Sequence, residues 1–158
     1  MTQDSVITDE MRAAIGQESP PYTLEVDKTA VRTFARAVGH TDLVYYDEEY
    51  AKKKGHRSLV CPPGFLGHPV FIPGQPFAGM GYRSIKTPLK RVLNGGTEFE
   101  YFDEDICAGD VLTATTKLAD LRERAGSMGP MLFIISETTY KNQDGKVVAK
   151  MTGTAIRY

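Results

Sequence analysis

The second half of the chain constrains the fold most. From Val92 onward, β-prone runs follow one another with only short breaks between them. Phe99 and Tyr101 lie in the first run, and Val111, Leu112 and Leu118 in the second. Met131 to Tyr140 (Met-Leu-Phe-Ile-Ile-Ser-Glu-Thr-Thr-Tyr) is the most strand-like segment, and Lys146 to Arg157 returns as the last strand. Asn142-Gln143-Asp144-Gly145 reads as a turn, while Ala108-Gly109-Asp110 and Gly126-Ser127-Met128-Gly129-Pro130 supply the other breaks. Strands joined this closely pair antiparallel, and the sheet they form needs cover on its apolar face.

The first half supplies that cover. Met1 to Ser19 reads as a loose lead-in with one helical turn around Met11 to Ile15, stopped by Pro20-Pro21. Tyr22, Leu24 and Val26 then alternate with polar residues as a first strand. Val31, Phe34, Ala35 and Val38 recur at helical spacing behind a capping residue, Asp27, and Gly39 sits where that helix stops. Asp47 caps a second short helix through Tyr50 and Ala51 to Gly55. Glu48 and Glu49 stand at its start and Lys52 to Lys54 at its end, matching its dipole.

Leu59 to Pro69 is apolar and broken by prolines. Pro62 and Pro63 suit a first helical turn, where their missing N–H groups cost little, and Pro69, Pro73 and Pro76 keep the helix short. An irregular loop continues through Gly81. The order is therefore strand, helices, a buried apolar helix, then four antiparallel strands. That is α+β: one domain over residues 1–158, with an antiparallel sheet wrapped around a central helix.

Composition excludes several classes. A chain of 158 residues fits one sizeable core. A net charge of −1 leaves no basic excess for phosphate backbones, so nucleic acid is not an expected partner. No uninterrupted apolar run is long enough to cross a bilayer, and Met1 to Glu10 is too polar and acidic for a signal peptide. Cys61 and Cys107 lack metal-ligand spacing and read as reduced thiols of a cytoplasmic protein; no metal is expected.

Between the two capped helices lies Gly39-His40-Thr41-Asp42-Leu43-Val44-Tyr45-Tyr46-Asp47, which must expose polar side chains at a fixed bend. This stretch resembles the loop of the MaoC-like hydratase/dehydratase family, which typically reads Gly-Asp-x-Asn-Pro-x-His-x-Asp between two such helices. The Gly falls on Gly39 and the last Asp on Asp47. The catalytic Asp falls on His40, the Asn on Asp42, the Pro on Leu43 and the catalytic His on Tyr45. Cys61-Pro62-Pro63-Gly64-Phe65 is similar to the Ala-Pro-Pro-Thr-Phe of the N-terminal or FAS1-like dehydratase subgroup, and Ala108-Gly109-Asp110-Val111-Leu112 matches the start of a family strand. The likeness runs from Thr23 to Arg157. It implies the hot-dog fold, an acyl thioester of coenzyme A or of an acyl carrier as substrate, and no cofactor.

The chemistry at those positions has changed. Hydration of an enoyl thioester needs a base for water, an acid for the alpha carbon and donors for the developing enolate oxygen. In the family the Asp–His pair supplies the first two. Tyr45 has an ordinary pKa of about 10 and is a poor base, whereas His40, near about 6.5, can accept a proton with Asp42 as partner in a rewired pair. Family members also place a His-Gly pair at the central helix, whose Gly N–H binds the thioester oxygen. That Gly falls on Pro63, which has no N–H, and Gly64 takes over only if the backbone shifts by one residue.

The resemblance thus implies the degenerate partner of a catalytic hot-dog chain with an intact Asp and His, shaping the acyl tunnel through Gly67 to Gly81. Two alternatives stand beside it: a homodimer using His40 and Asp42, and a non-catalytic acyl-CoA-binding module. A hot-dog thioesterase fits less well, because Pro62 to Met80 contains no Asp or Glu. Candidate substrate-binding residues are Cys61, Pro63, Gly64 and His68. Lys90 and Arg91, from a basic group with Arg83 and Lys86, suit coenzyme A phosphates. Each has a plainer reading. His40 meets the last carbonyls of its helix, Tyr45 and Tyr46 pack, Cys61 is a small apolar residue, and His68 lies at the surface.

Overall fold

The structure is a computed structural model that describes residues 5–75, 85–127 and 129–158. Pro76 to Gly81, Arg83, Met128 and the first four residues of the lead-in lie outside the described residues.

Six antiparallel strands form one sheet in the order β2-β1-β4-β5-β6-β3. They are β1 (Tyr22–Glu25), β2 (His68–Pro69), β3 (Val92–Tyr101), β4 (Val111–Gly126), β5 (Gly129–Lys141) and β6 (Val147–Arg157). The last four are the strands expected from the β-prone runs. Their inner face alternates as a half-buried sheet must: Leu112, Ala114, Thr116 and Leu118 of β4 and Leu132, Ile134, Ser136, Thr138 and Tyr140 of β5 are buried. Between Leu118 and Asp120 the β4–β5 register shifts by a bulge. One extra residue there turns Leu121 back to the inner face, where strict alternation would have sent it out.

Two apolar clusters cover the inner face. One joins Leu24, Val26, Val31, Leu59, Phe65, Leu66, Ile106 and Leu112 beneath α2 (Lys28–Ala37). The other packs Met11 of α1 (Asp9–Ala13) on Leu118, Leu121, Leu132 and Ile134, with Ile85 and Leu89 beside it. Helix α1 begins two residues before the expected turn because the Thr8 hydroxyl accepts from the Met11 N–H at 3.2 Å. A third helix, α3 (Glu48–Lys53), closes the loop region.

The expected helix at Pro62 does not form. Pro62 to Phe65 is a tight turn closed by Phe65 N–H to the Pro62 carbonyl at 3.0 Å. Pro63 occupies its second position, and Gly64 its third at φ +88°. That is the signature of a type II turn, whose third residue needs a positive φ that a helix would forbid. Gly67, at φ +88°, then brings β2 against β1. A Cβ there would sit 2.7 Å from the Glu25 carbonyl oxygen, so only glycine permits the approach.

Between the two clusters the inner face is open among the described residues. A cavity of about 670 Å³ is lined by Asn94, Thr97, Ser136, Met151, Gly153 and Ala155, together with neighbours on β3 and β6. The register sets Ser136 against Gly153 and Gly153 against Thr97, so the floor is built of small side chains. Strand β3 is the far edge of the sheet, with Val92 and Leu93 more than half exposed.

Candidate functional site

The loop between the helices is closed by its own polar groups. Gly39, at φ +79°, ends α2, and the His40 N–H reaches back to the Ala35 carbonyl at 2.9 Å. The Asp42 carboxylate accepts from the Val44 N–H at 3.0 Å and caps a single 3₁₀ turn, Leu43–Tyr45. Asp47 caps α3 by accepting from the Tyr50 N–H at 3.1 Å, as Asp27 caps α2 by accepting from Ala30 at 2.9 Å. The Tyr46 hydroxyl donates to the His40 carbonyl at 2.6 Å and staples the two ends of the loop. Arg32 adds a bond from α2 to the Tyr46 carbonyl at 3.0 Å.

His40 and Tyr45, at the two catalytic positions of the resembling loop, lie against each other with ring centroids 5.3 Å apart. Burial and then the Asp42 carboxylate raise the Tyr45 phenol above its ordinary range, which keeps it protonated and leaves no phenolate to act as a base near neutral pH. The carboxylate of Asp42 is bound to its own 3₁₀ turn rather than to His40.

The second half of the site is the turn at Pro62. Its approach is strapped on both sides: Val60 N–H to the Val44 carbonyl at 3.1 Å, and Cys61 N–H to the Ile106 carbonyl at 2.7 Å. A buried carboxylate, Asp110, holds the far strap. It takes both Arg57 guanidinium nitrogens at 2.9 Å, the Cys107 N–H at 2.8 Å and the Gln143 amide at 3.1 Å. Burial pushes the Asp110 carboxyl up, but the Arg57 fork and the other donors outweigh it and leave it below the ordinary carboxylate range.

At the turn itself Pro62 is fully buried, while Pro63 and Gly64 are exposed. The Gly64 N–H, the donor that would replace the one lost at Pro63, is directed at the Tyr101 hydroxyl of β3 at 2.7 Å. Burial raises the Tyr101 phenol, so it stays protonated. Phe65 stacks on Phe34 at 5.2 Å and meets the edge of His68 at 5.3 Å. His68 is exposed and lines a cavity of about 490 Å³ along α2, with Thr33, Phe34, Ala37 and Phe65.

The remaining candidates separate. The Cys61 thiol lies in the core, donates to the Phe65 carbonyl at 2.8 Å, and is pushed up to about 12 by burial. It acts there as a packing residue. Lys90 and Arg91 are exposed just before β3, with the Arg91 guanidinium over the Tyr158 ring at 6.0 Å. Tyr101 ends the same strand, roughly 30 Å away at about 3.3 Å per residue. The structure does not bring those cations and Gly64 together in one chain. No group of three or more His, Cys, Asp or Glu side chains among the described residues is arranged to hold a metal ion.

Three contributors escaped the sequence reading. The Phe99-Glu-Tyr101 alternation does show both rings on one face of a strand, yet the pairing of Tyr101 with Gly64 joins positions 37 residues apart. Arg57 and Tyr46 carry no local signal of their roles.

A curled antiparallel sheet with few helices, bearing this loop and turn, is the hot-dog architecture. The FAS1-like dehydratase domain model matches residues 13–151, and the chain belongs to that family, within the MaoC-like hot-dog hydratases and dehydratases. A UPF0336 protein of Streptomyces coelicolor is 33% identical over 122 residues, covering 73% of this chain and 76% of its own. Among solved structures, a MaoC-like dehydratase superposes with a TM-score of 0.73 at 22% identity, over 92% of this chain and 42% of that one. The HadBC (3R-hydroxyacyl-ACP dehydratase) complex of Mycobacterium tuberculosis gives 0.68 at 20% identity, over 87% and 95%. The ChsH1–ChsH2 complex of the same organism gives 0.69 at 18% identity, over 94% and 87%. No described helix is long and apolar enough to cross a membrane.

Proposed function

We propose that this chain is the non-catalytic half of a two-chain MaoC-like hydratase or dehydratase, shaping the acyl site beside a hot-dog partner that supplies the catalytic Asp and His. The observation that carries this reading is the loop. His40 and Tyr45 are the residues that the loop's resemblance aligns with the family's catalytic pair, and the one carboxylate between them in sequence, Asp42, caps its own turn at 3.0 Å. No described carboxylate makes a hydrogen bond to the His40 or Tyr45 side chain. The fold likeness to the HadBC and ChsH1–ChsH2 complexes supports a second hot-dog chain. So does the exposed edge β3, since an unpaired apolar edge strand invites another strand.

The substrate is an acyl thioester of coenzyme A or of an acyl carrier, and no other cofactor takes part. The cavity of about 670 Å³ on the inner face gives room for a bulky apolar acyl group.

The test is co-expression with a neighbouring hot-dog chain that carries an intact Gly-Asp-x-Asn-Pro-x-His loop. A stable complex should hydrate trans-2-enoyl-CoA, and substitution of the partner's loop His should abolish turnover while His40→Ala in this chain leaves it within about twofold. Loss of activity with His40→Ala, or failure of the two chains to associate, overturns the reading.

A further inference from the structure

We infer that the Tyr101 hydroxyl is a ligand-binding group that donates its proton to the carbonyl oxygen of an acyl thioester at the Pro62–Phe65 turn. The inference rests on the acyl-thioester reading above and assigns a residue which that reading leaves without a role.

A phenol has one proton to give and lone pairs to receive. The Tyr101 oxygen receives the Gly64 N–H at 2.7 Å. Its ring stacks near Phe99 with centroids 6.2 Å apart, and no described residue accepts its own proton. Receiving one hydrogen bond polarises the O–H and makes it a better donor. Gly64 thereby acts through Tyr101: the backbone donor is relayed by one phenol, from a turn whose preceding residue, Pro63, cannot donate at all.

The position fits a thioester head group. In the β3–β6 register Tyr101 pairs with Ala149, Phe99 with Met151, and Thr97 with Gly153, so the Tyr101–Ala149 pair lies next on the same face beyond Met151, which lines the cavity. From Tyr101 back to Asn94, beside Ala155, the strand runs roughly 20 Å at about 3.3 Å per residue. A carbonyl held at the phenol thus directs an acyl chain along Met151, Gly153 and Ala155, over small or flexible side chains. With its proton retained, Tyr101 offers a hydrogen bond across the neutral pH range.

The experiment is calorimetric titration of the full chain with two probes of equal length: octanoyl-CoA, and its thioether analogue S-octyl-CoA, which lacks the carbonyl oxygen. The wild-type protein should prefer octanoyl-CoA by about three- to tenfold, the worth of one neutral hydrogen bond. Tyr101→Phe should erase that preference and leave S-octyl-CoA binding unchanged, which also shows that the variant is folded. If Tyr101→Phe keeps the preference, the Gly64 N–H rather than the phenol holds the carbonyl, and the inference is wrong. If it weakens both probes equally, Tyr101 is only structural, and the inference is again wrong. Failure of the wild-type chain to bind either probe removes the acyl-thioester reading, and this inference with it.

Discussion

The Gly39–Asp47 loop and the Pro62–Phe65 turn are the two segments in which the sequence resembles the family's site, and they use their polar groups in opposite ways. In the loop, Asp42 and Asp47 cap, the His40 N–H and carbonyl close the helix end and the staple, and the Tyr46 hydroxyl is tied inward at 2.6 Å. At the turn, Pro63 and Gly64 are exposed, and the Tyr101 hydroxyl has a proton that no described residue accepts. The loop holds its shape by hydrogen bonds of its own backbone, caps and Tyr46, and none of those that close it uses the His40 or Tyr45 side chain. The turn closes on itself through one bond, Phe65 N–H to the Pro62 carbonyl, and is set in place from outside by the straps to Val44 and Ile106 and by the Asp110 brace.

Removing the external brace should therefore break the comparison most. Asp110→Ala strands the buried Cys107 N–H and releases Arg57 and Gln143, at a cost of about 3 kcal/mol in denaturant unfolding. A cost below about 1 kcal/mol would mean that the turn does not depend on Asp110. The same carboxyl sets an acid limit. Its folded-state titration lies below the ordinary range, so its contribution is complete above the unfolded value of about 4 and is lost as pH falls through the folded one. Glu48 acts in the same direction: the Lys28 ammonium, with Ser58 and Lys52, holds it near 2 against the opposing effect of desolvation. Stability should fall between about pH 4.5 and pH 2, and Asp110→Asn should flatten part of that slope. An unchanged slope in the variant would remove Asp110 from the acid transition.

Local changes in the loop should cost less, because each removes one bond of several. Asp47→Ala should cost about 1 kcal/mol, the ordinary worth of an N-cap. Tyr46→Phe, which opens the staple and leaves the ring in place, should cost about 0.5–1 kcal/mol. Thermal or urea unfolding measures both. Costs equal to that of Asp110→Ala would erase the distinction between a locally closed loop and an externally held turn.

How much of this stands in the sequence depends on the range over which each signal acts. Asp27 and Asp47 are legible as caps because a cap needs only the next three residues. The strands of the second half are legible because a period of two is local. The turn at Pro62 was also written there, as proline followed by glycine. The tolerance of proline in a first helical turn obscured it, and the deciding fact is the positive φ of Gly64. The Arg57–Asp110 brace and the Tyr101–Gly64 bond join residues 53 and 37 positions apart, the open inner face is set by the pairing of separate strands, and no local pattern announces them. For the site, the alignment of His40 and Tyr45 with a catalytic pair rests on the sequence resemblance alone. That Asp42 is a cap rather than a partner for His40 emerges only from its bond to Val44.

The most direct measurement is the rate of crotonyl-CoA hydration by the purified chain alone, beside its His40→Ala variant, with folding checked by circular dichroism. The account predicts no turnover above the variant, since the loop keeps its frame and has no base–acid pair. Robust turnover by the isolated chain, abolished by His40→Ala, would contradict it and make His40 a working base.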